Sequence, residues 1–173
     1  MFKKISVIIL IFLISFSTLA IADEWSTSSS KDEMTNEEKW FAYSPDTTTN
    51  NPMGFPYSDT QAWLGVGTDG DNEWVYIGFT KQPNIKNTTP TNDGYSTFTT
   101  RVKWNDDITN MDFTQEWGSD FVHFVEDKKA INKIMQNNKV LIEIDWYGED
   151  KVYFEFTLEG SAEAIKKIRE ETN

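Results

Sequence analysis

The last third of the chain alternates in twos. Between Lys139 and Trp146, the apolar residues Val140, Ile142, Ile144 and Trp146 share one phase, with Glu143 and Asp145 on the other. After Tyr147-Gly148-Glu149-Asp150 the alternation resumes, with Val152, Phe154, Phe156 and Leu158 set against Tyr153, Glu155, Thr157 and Glu159. Two period-two runs about a short Gly-containing loop predict an antiparallel hairpin with one buried face. Past Gly160 the period lengthens. Ala162, Ile165 and Ile168 recur at helical spacing, with Ser161 as the expected cap and Glu163 placed for the helix dipole. Lys166 and Lys167 fall on the solvent side. The chain therefore ends strand, turn, strand, helix.

The same reading applies upstream. Trp40–Tyr43 predicts the first strand, and Ala62, Leu64 and Val66 alternate towards a turn over Gly67–Asn72, answered by Trp74–Phe79. Phe98, Thr100, Val102 and Trp104 alternate in turn, Asn105-Asp106-Asp107 reverses the chain, and Met111 and Phe113 begin a strand running towards Trp117. Phe121–Val125 is a further short strand. Asp127–Asn137 has a helical period, with Asp127 as cap and Ala130, Ile131, Ile134 and Met135 as the apolar stripe. Trp74, Trp104 and Trp146 lie in the core phase of their strands. Trp25 and Trp40 lie near the start, where exposure is easier, and Trp117 is placed to cover a sheet end. These elements predict an all-β fold with minor α: an antiparallel β-sandwich or open barrel, one helix before the last hairpin and one C-terminal helix.

Two stretches lack this order. Glu24 to Glu38 is Ser/Thr/Asp/Glu-rich without an apolar period and reads as a flexible leader over residues 23–38. Ser44 to Asp59 carries Pro45, Pro52, Pro56 and Gly54, which predict a long loop. Met53, Phe55 and Tyr57 make that loop less polar than a linker. With Trp40 they form the candidate partner-binding set, although packing of Met53, Phe55 and Tyr57 onto the edge of the sheet is the favoured reading of the loop.

Lys3 and Lys4 precede an uncharged run from Ile5 to Ala20, and Ala20-Ile21-Ala22 supplies a small-x-small site before Asp23. This predicts a cleaved signal peptide over residues 1–22, a mature start at Asp23 and a single β-rich domain over residues 39–173. The expected location is periplasmic or secreted, with no stable membrane insertion after cleavage.

The closing pattern also carries a resemblance. Lys139–Trp146, Tyr147-Gly148, Val152–Gly160 and Ala162–Arg169 read as lysine, aliphatic strand, D-W-Y-G, F-x-F-x-L-x-G and A-x-A-I-x-x-I-R. This resembles the C-terminal signature of small exported bacterial proteins, the type VI secretion accessory proteins of the TagO/VasI kind, which is shared with invasion-associated locus B proteins. Trp74–Phe79, Thr99–Trp104 and Gln115–Trp117 fall roughly where that family has its upstream blocks. The resemblance implies a periplasmic β-rich domain without catalytic activity, attached to an envelope or secretion-system protein. Members commonly carry a cysteine pair, and this chain has no cysteine.

Composition narrows the partners. The chain carries 16 Lys+Arg against 28 Asp+Glu, a formal charge of −12. Removing residues 1–22 takes away two lysines and no acid, leaving 14 bases against 28 acids and a charge of −14. Such a chain repels nucleic acid and anionic surfaces. With no cysteine available for a disulfide, burial has to hold the fold, and Phe 12 and Trp 7 supply the bulk.

Candidate chemistry is sparse. His123 is the single histidine, between Val122 and Phe124, and it cannot build a zinc site or a serine triad without companions. Asp69-Gly70-Asp71-Asn72-Glu73 is oxygen-rich, but its glycine falls at the second position, where a calcium loop needs it at the sixth. The many acids offer pairs for a carboxylate hydrolase, and none stands out. The expectation is a non-enzymatic exported accessory or binding protein with no catalytic residue, metal or cofactor. The alternatives are a carbohydrate-binding or enzyme-inhibitor module, or a carboxylate-dependent hydrolase.

Overall fold

A computed structural model describes residues 24–172. The expected signal peptide and the start at Asp23 lie outside the described residues. The chain runs β1 (Ser26–Lys31), β2 (Glu38–Tyr43), β3 (Thr47–Thr48), β4 (Gln61–Thr68), β5 (Glu73–Phe79) and β6 (Thr89–Pro90). It continues through β7 (Tyr95–Trp104), β8 (Asp107–Glu116), β9 (Phe121–Phe124), α1 (Asp127–Gln136), β10 (Lys139–Asp145), β11 (Lys151–Thr157) and α2 (Ser161–Glu171). The protein is all-β with minor α, as the alternation predicted.

The strands make one antiparallel sheet in the order β1-β2-β4-β5-β9-β8-β7-β10-β11, with β3 on β4 and β6 on β7. Its β11 end curls back onto the segment that follows β3. Thr49, just past β3, bridges Phe154 of β11, and the Asn50 N–H donates to the Tyr153 carbonyl at 3.2 Å. The sheet is therefore curled towards a barrel, with the segment around β3 spanning the gap. The segment expected as a long loop, Ser44–Asp59, is the piece that makes this closure.

Packing follows the alternation. Val140, Ile142, Ile144, Trp146, Val152, Phe154, Phe156 and Leu158 are all buried, and the hairpin register pairs Ile142 with Phe154. Phe79, Trp146 and Phe154 meet at 5.4 to 6.4 Å between ring centres, the edge-to-face and tilted spacings that aromatic quadrupoles favour. The two helices lie against one flank, α1 on β5 and α2 on β2. Their buried stripes, Ala130, Ile131, Ile134 and Ala164, Ile165, Ile168, keep helical spacing.

Several expectations are corrected. The expected flexible leader over residues 23–38 contains a strand: β1 pairs with β2 from Ser26↔Tyr43 to Lys31↔Glu38. Asp32 turns this hairpin by accepting the N–H groups of Met34 and Thr35 at 2.7 and 3.0 Å. Trp25 is buried at 7% exposure and donates its indole N–H to the Thr157 carbonyl. The expected caps act elsewhere. Ser161 Oγ donates to the Ile134 carbonyl, tying α2 to the end of α1, while left-handed Gly160 precedes the helix. Asp127 accepts the Val75 N–H at 2.8 Å, satisfying a β5 group beyond the reach of β9. Trp74 is not a core residue; it stands half-buried on the outside of the sheet.

Candidate functional site

The outer face of β2, β4, β5 and β9 has a composition that the inner-face alternation did not reveal. On β4 the outward positions are Trp63, Gly65 and Gly67; on β5 they are Trp74, Tyr76 and Gly78. Register places each of these glycines opposite an aromatic ring: Trp63↔Gly78, Gly65↔Tyr76 and Gly67↔Trp74. The flanking strands continue the rows. Phe41 and Tyr43 of β2 pair with Gly67 and Gly65, and Phe121 and His123 of β9 pair with Gly78 and Tyr76.

The glycines are there because the rings lie on them. A Cβ on Gly78 would meet the Trp63 indole at 2.3 Å, one on Gly65 the Tyr76 ring at 2.3 Å, and one on Gly67 the Trp74 indole at 2.4 Å. Glycine weakens a strand by itself, and an aromatic laid across it restores the lost packing. Phe41 and Phe121 stand up from this floor. Phe41 is 75° to Trp74 at 6.1 Å, and Phe121 is 84° to Trp63 at 6.1 Å and 77° to Tyr76 at 5.5 Å.

Floor and walls enclose a trough of about 610 Å³, with Ser28 and Asp46 at its margin. Its lining contains one carboxylate and no lysine or arginine. Burial pushes the His123 imidazole below its ordinary pKa, against the pull of Asp127 and Glu116, so the ring is neutral at neutral pH. Burial likewise raises the Tyr76 phenol and the Asp127 carboxyl. No group in the trough is arranged as nucleophile and base. The chemistry on offer is apolar contact, ring faces and one negative charge.

Comparison with protein-family models, curated proteins and solved structures gives no significant match. The site must speak through its own chemistry.

The residues expected to bind a partner are not brought together. Met53 is buried at 5% exposure within the core, and Tyr57 packs edge-on against Trp146 at 5.2 Å. Trp40 points inward from β2 and packs on the core. Only Phe55 projects into solvent, at 95% exposure. The packing alternative accounts for Met53, Tyr57 and Trp40. A signal for the trough was present in the sequence: only aromatic residues and glycines occupy the outward positions Trp63, Gly65, Gly67, Trp74, Tyr76 and Gly78.

The other candidates are structural. Asp69 Oδ1 accepts the N–H groups of Asp71 and Asn72 at 3.0 and 2.7 Å, so this acidic segment is a self-capped turn. Glu143 is 5% exposed and is clamped by Arg101 and by Lys151, the latter at 2.6 Å. The Arg101 hydrogen bonds lead in holding its pKa at about 2, and those from Lys151 add to them. A carboxylate held ionised in this way is no general acid. Glu73 receives the forked guanidinium of Arg169 at 2.6 and 2.9 Å, which fastens α2 to β5.

Proposed function

We propose that this is a non-enzymatic binding protein of the cell envelope and that the aromatic trough is its binding surface. One observation carries the reading. Six aromatic rings line the trough on the outside of a sheet whose inside is already fully packed, and the trough is open to solvent. Packing explains why rings cover glycines. It does not account for a concave, apolar surface left uncovered, which is the ordinary form of a ligand site. The envelope location is supported by the charged, apolar and small-residue regions at the start of the sequence and by the C-terminal resemblance to exported accessory proteins. An attachment to a secretion system rests on that resemblance alone.

The test is capture from periplasmic extract by the mature chain, by a Trp63→Ala/Trp74→Ala variant and by Phe55→Ser. The reading expects specific capture by the wild type and by Phe55→Ser, and its loss in the trough variant at unchanged circular dichroism. Hydrolysis of a glycan or peptide that disappears on a single Asp or Glu substitution would contradict it. So would capture that depends on Phe55 and survives loss of the trough.

A further inference from the structure

The trough also indicates what class of ligand it takes, and this step rests on the reading of the trough as the binding surface. We propose that it binds a small quaternary ammonium cation of the choline type, seated in the corner formed by Trp63, Tyr76 and Phe121 with Asp46 as counter-charge.

The first support is ring geometry. Phe41 meets Trp74 at 75°, and Phe121 meets Trp63 and Tyr76 at 84° and 77°. Rings at right angles make corners, in which one compact ligand touches two aromatic surfaces. A sugar ring stacks best on an open, level platform, and these upright phenyl rings interrupt it.

The second support is polarity. A bound sugar needs fixed donors and acceptors for its hydroxyls, because each one left unmatched in an apolar site costs affinity. Here the polar side-chain groups of the lining are those of Ser28, Asp46, His123, two tyrosines and the two indole N–H groups, set among ring faces. A trimethylammonium group has no hydrogen bond to lose. It is clad in methyl groups and is drawn to aromatic faces by its charge.

The third support is charge. The single carboxylate of the lining is Asp46, with no lysine or arginine beside it in the lining, which favours a cation over an anion. Lys39 shares the outer face by strand phase but sits two residues before Phe41, at the end of β2 away from Asp46. The chain as a whole, at −12, draws cations to its surface.

The experiment is a calorimetric titration of the mature chain with choline chloride and, separately, with 3,3-dimethylbutan-1-ol. The alcohol has the same shape with carbon in place of the charged nitrogen, and sodium chloride keeps the ionic strength constant. Choline should bind about tenfold or more tightly than the alcohol, the scale of one good cation–ring contact. Asp46→Asn, an exposed change that leaves the sheet intact, should weaken choline severalfold and leave the alcohol unchanged. Trp63→Phe keeps a ring over Gly78 and should weaken choline without unfolding the protein. Equal affinity for the two probes would overturn the cation, while leaving the trough as the site. Binding of a glucose oligosaccharide without choline would do the same, as would binding to phosphatidylcholine vesicles without soluble choline. Failure of every probe would overturn this inference, while capture by the wild type and its loss in the Trp63→Ala/Trp74→Ala variant decide the binding-surface reading separately.

Discussion

At the scale of single residues, the outer and inner faces of the sheet make opposite demands on the same positions. Gly78 is an ordinary strand residue in sequence, yet a methyl group there would press against the Trp63 indole at 2.3 Å. Gly78→Ala should therefore push the indole off the sheet. Its cost should be about 1–3 kcal/mol, the range for overpacked sites, with a red-shifted tryptophan emission as the second readout. Glu143 sets a different constraint. Its pKa of about 2 lies below the ordinary 4.5, chiefly because Arg101 hydrogen-bonds the ionised form. A depressed carboxylate adds stability that is complete above pH 4.5 and is lost as pH falls towards 2. The contribution is at most about 3 kcal/mol and is smaller to the extent that water screens the exposed ends of Arg101 and Lys151. Urea midpoints measured from pH 6 to pH 2 should fall for the wild type. Glu143→Gln should be weaker at pH 6 and should show a flatter decline. Equal slopes would remove Glu143 from the account of acid stability.

At the scale of elements, the hairpin of β10 and β11 was legible because every inward position is apolar and every outward one except Leu141 is polar or partly so. Phe156 is buried and Glu155, one residue away, faces outward to Lys139 at 3.5 Å. Phe156→Ala should cost on the order of 3–5 kcal/mol, and Glu155→Ala no more than about 1 kcal/mol. Similar losses in thermal or urea unfolding would mean that this register is wrong. β1 was not legible, because Ser26–Lys31 has no apolar phase at all; it is an outer strand identified only by its pairing with β2. β5 misled for the opposite reason. Trp74–Phe79 is apolar in both phases, so alternation could not say which side Trp74 takes. The loop of β3 misled through its prolines, which suggested a projecting surface where the chain in fact closes the sheet. Met53→Ala should accordingly destabilise by about 2–4 kcal/mol, whereas Phe55→Ser should be near neutral. Comparable effects in the two variants would contradict the burial assigned to Met53.

At the scale of the whole molecule, a curled sheet filled on the inside by aliphatic and aromatic side chains carries a second aromatic layer on the outside. The fold class was readable from periodicity, since periodicity reports burial. The site was not, since a binding face is an exception to the burial rule and leaves its mark only as aromatic residues in the polar phase. Export belongs to this scale as well: mass spectrometry of the exported protein should give an N-terminus at Asp23, and retention of residues 5–20 would instead make the chain membrane-anchored. The central claim is that the trough holds the ligand, and indole N–H signals in a two-dimensional NMR titration test it most directly. Trp63 and Trp74 line the trough, while Trp104 and Trp146 are buried inside the sheet. On addition of choline, the Trp63 signal should shift saturably, and those of Trp104 and Trp146 should stay in place. A saturable response of the protein with Trp63 and Trp74 unmoved would place binding elsewhere and contradict the account.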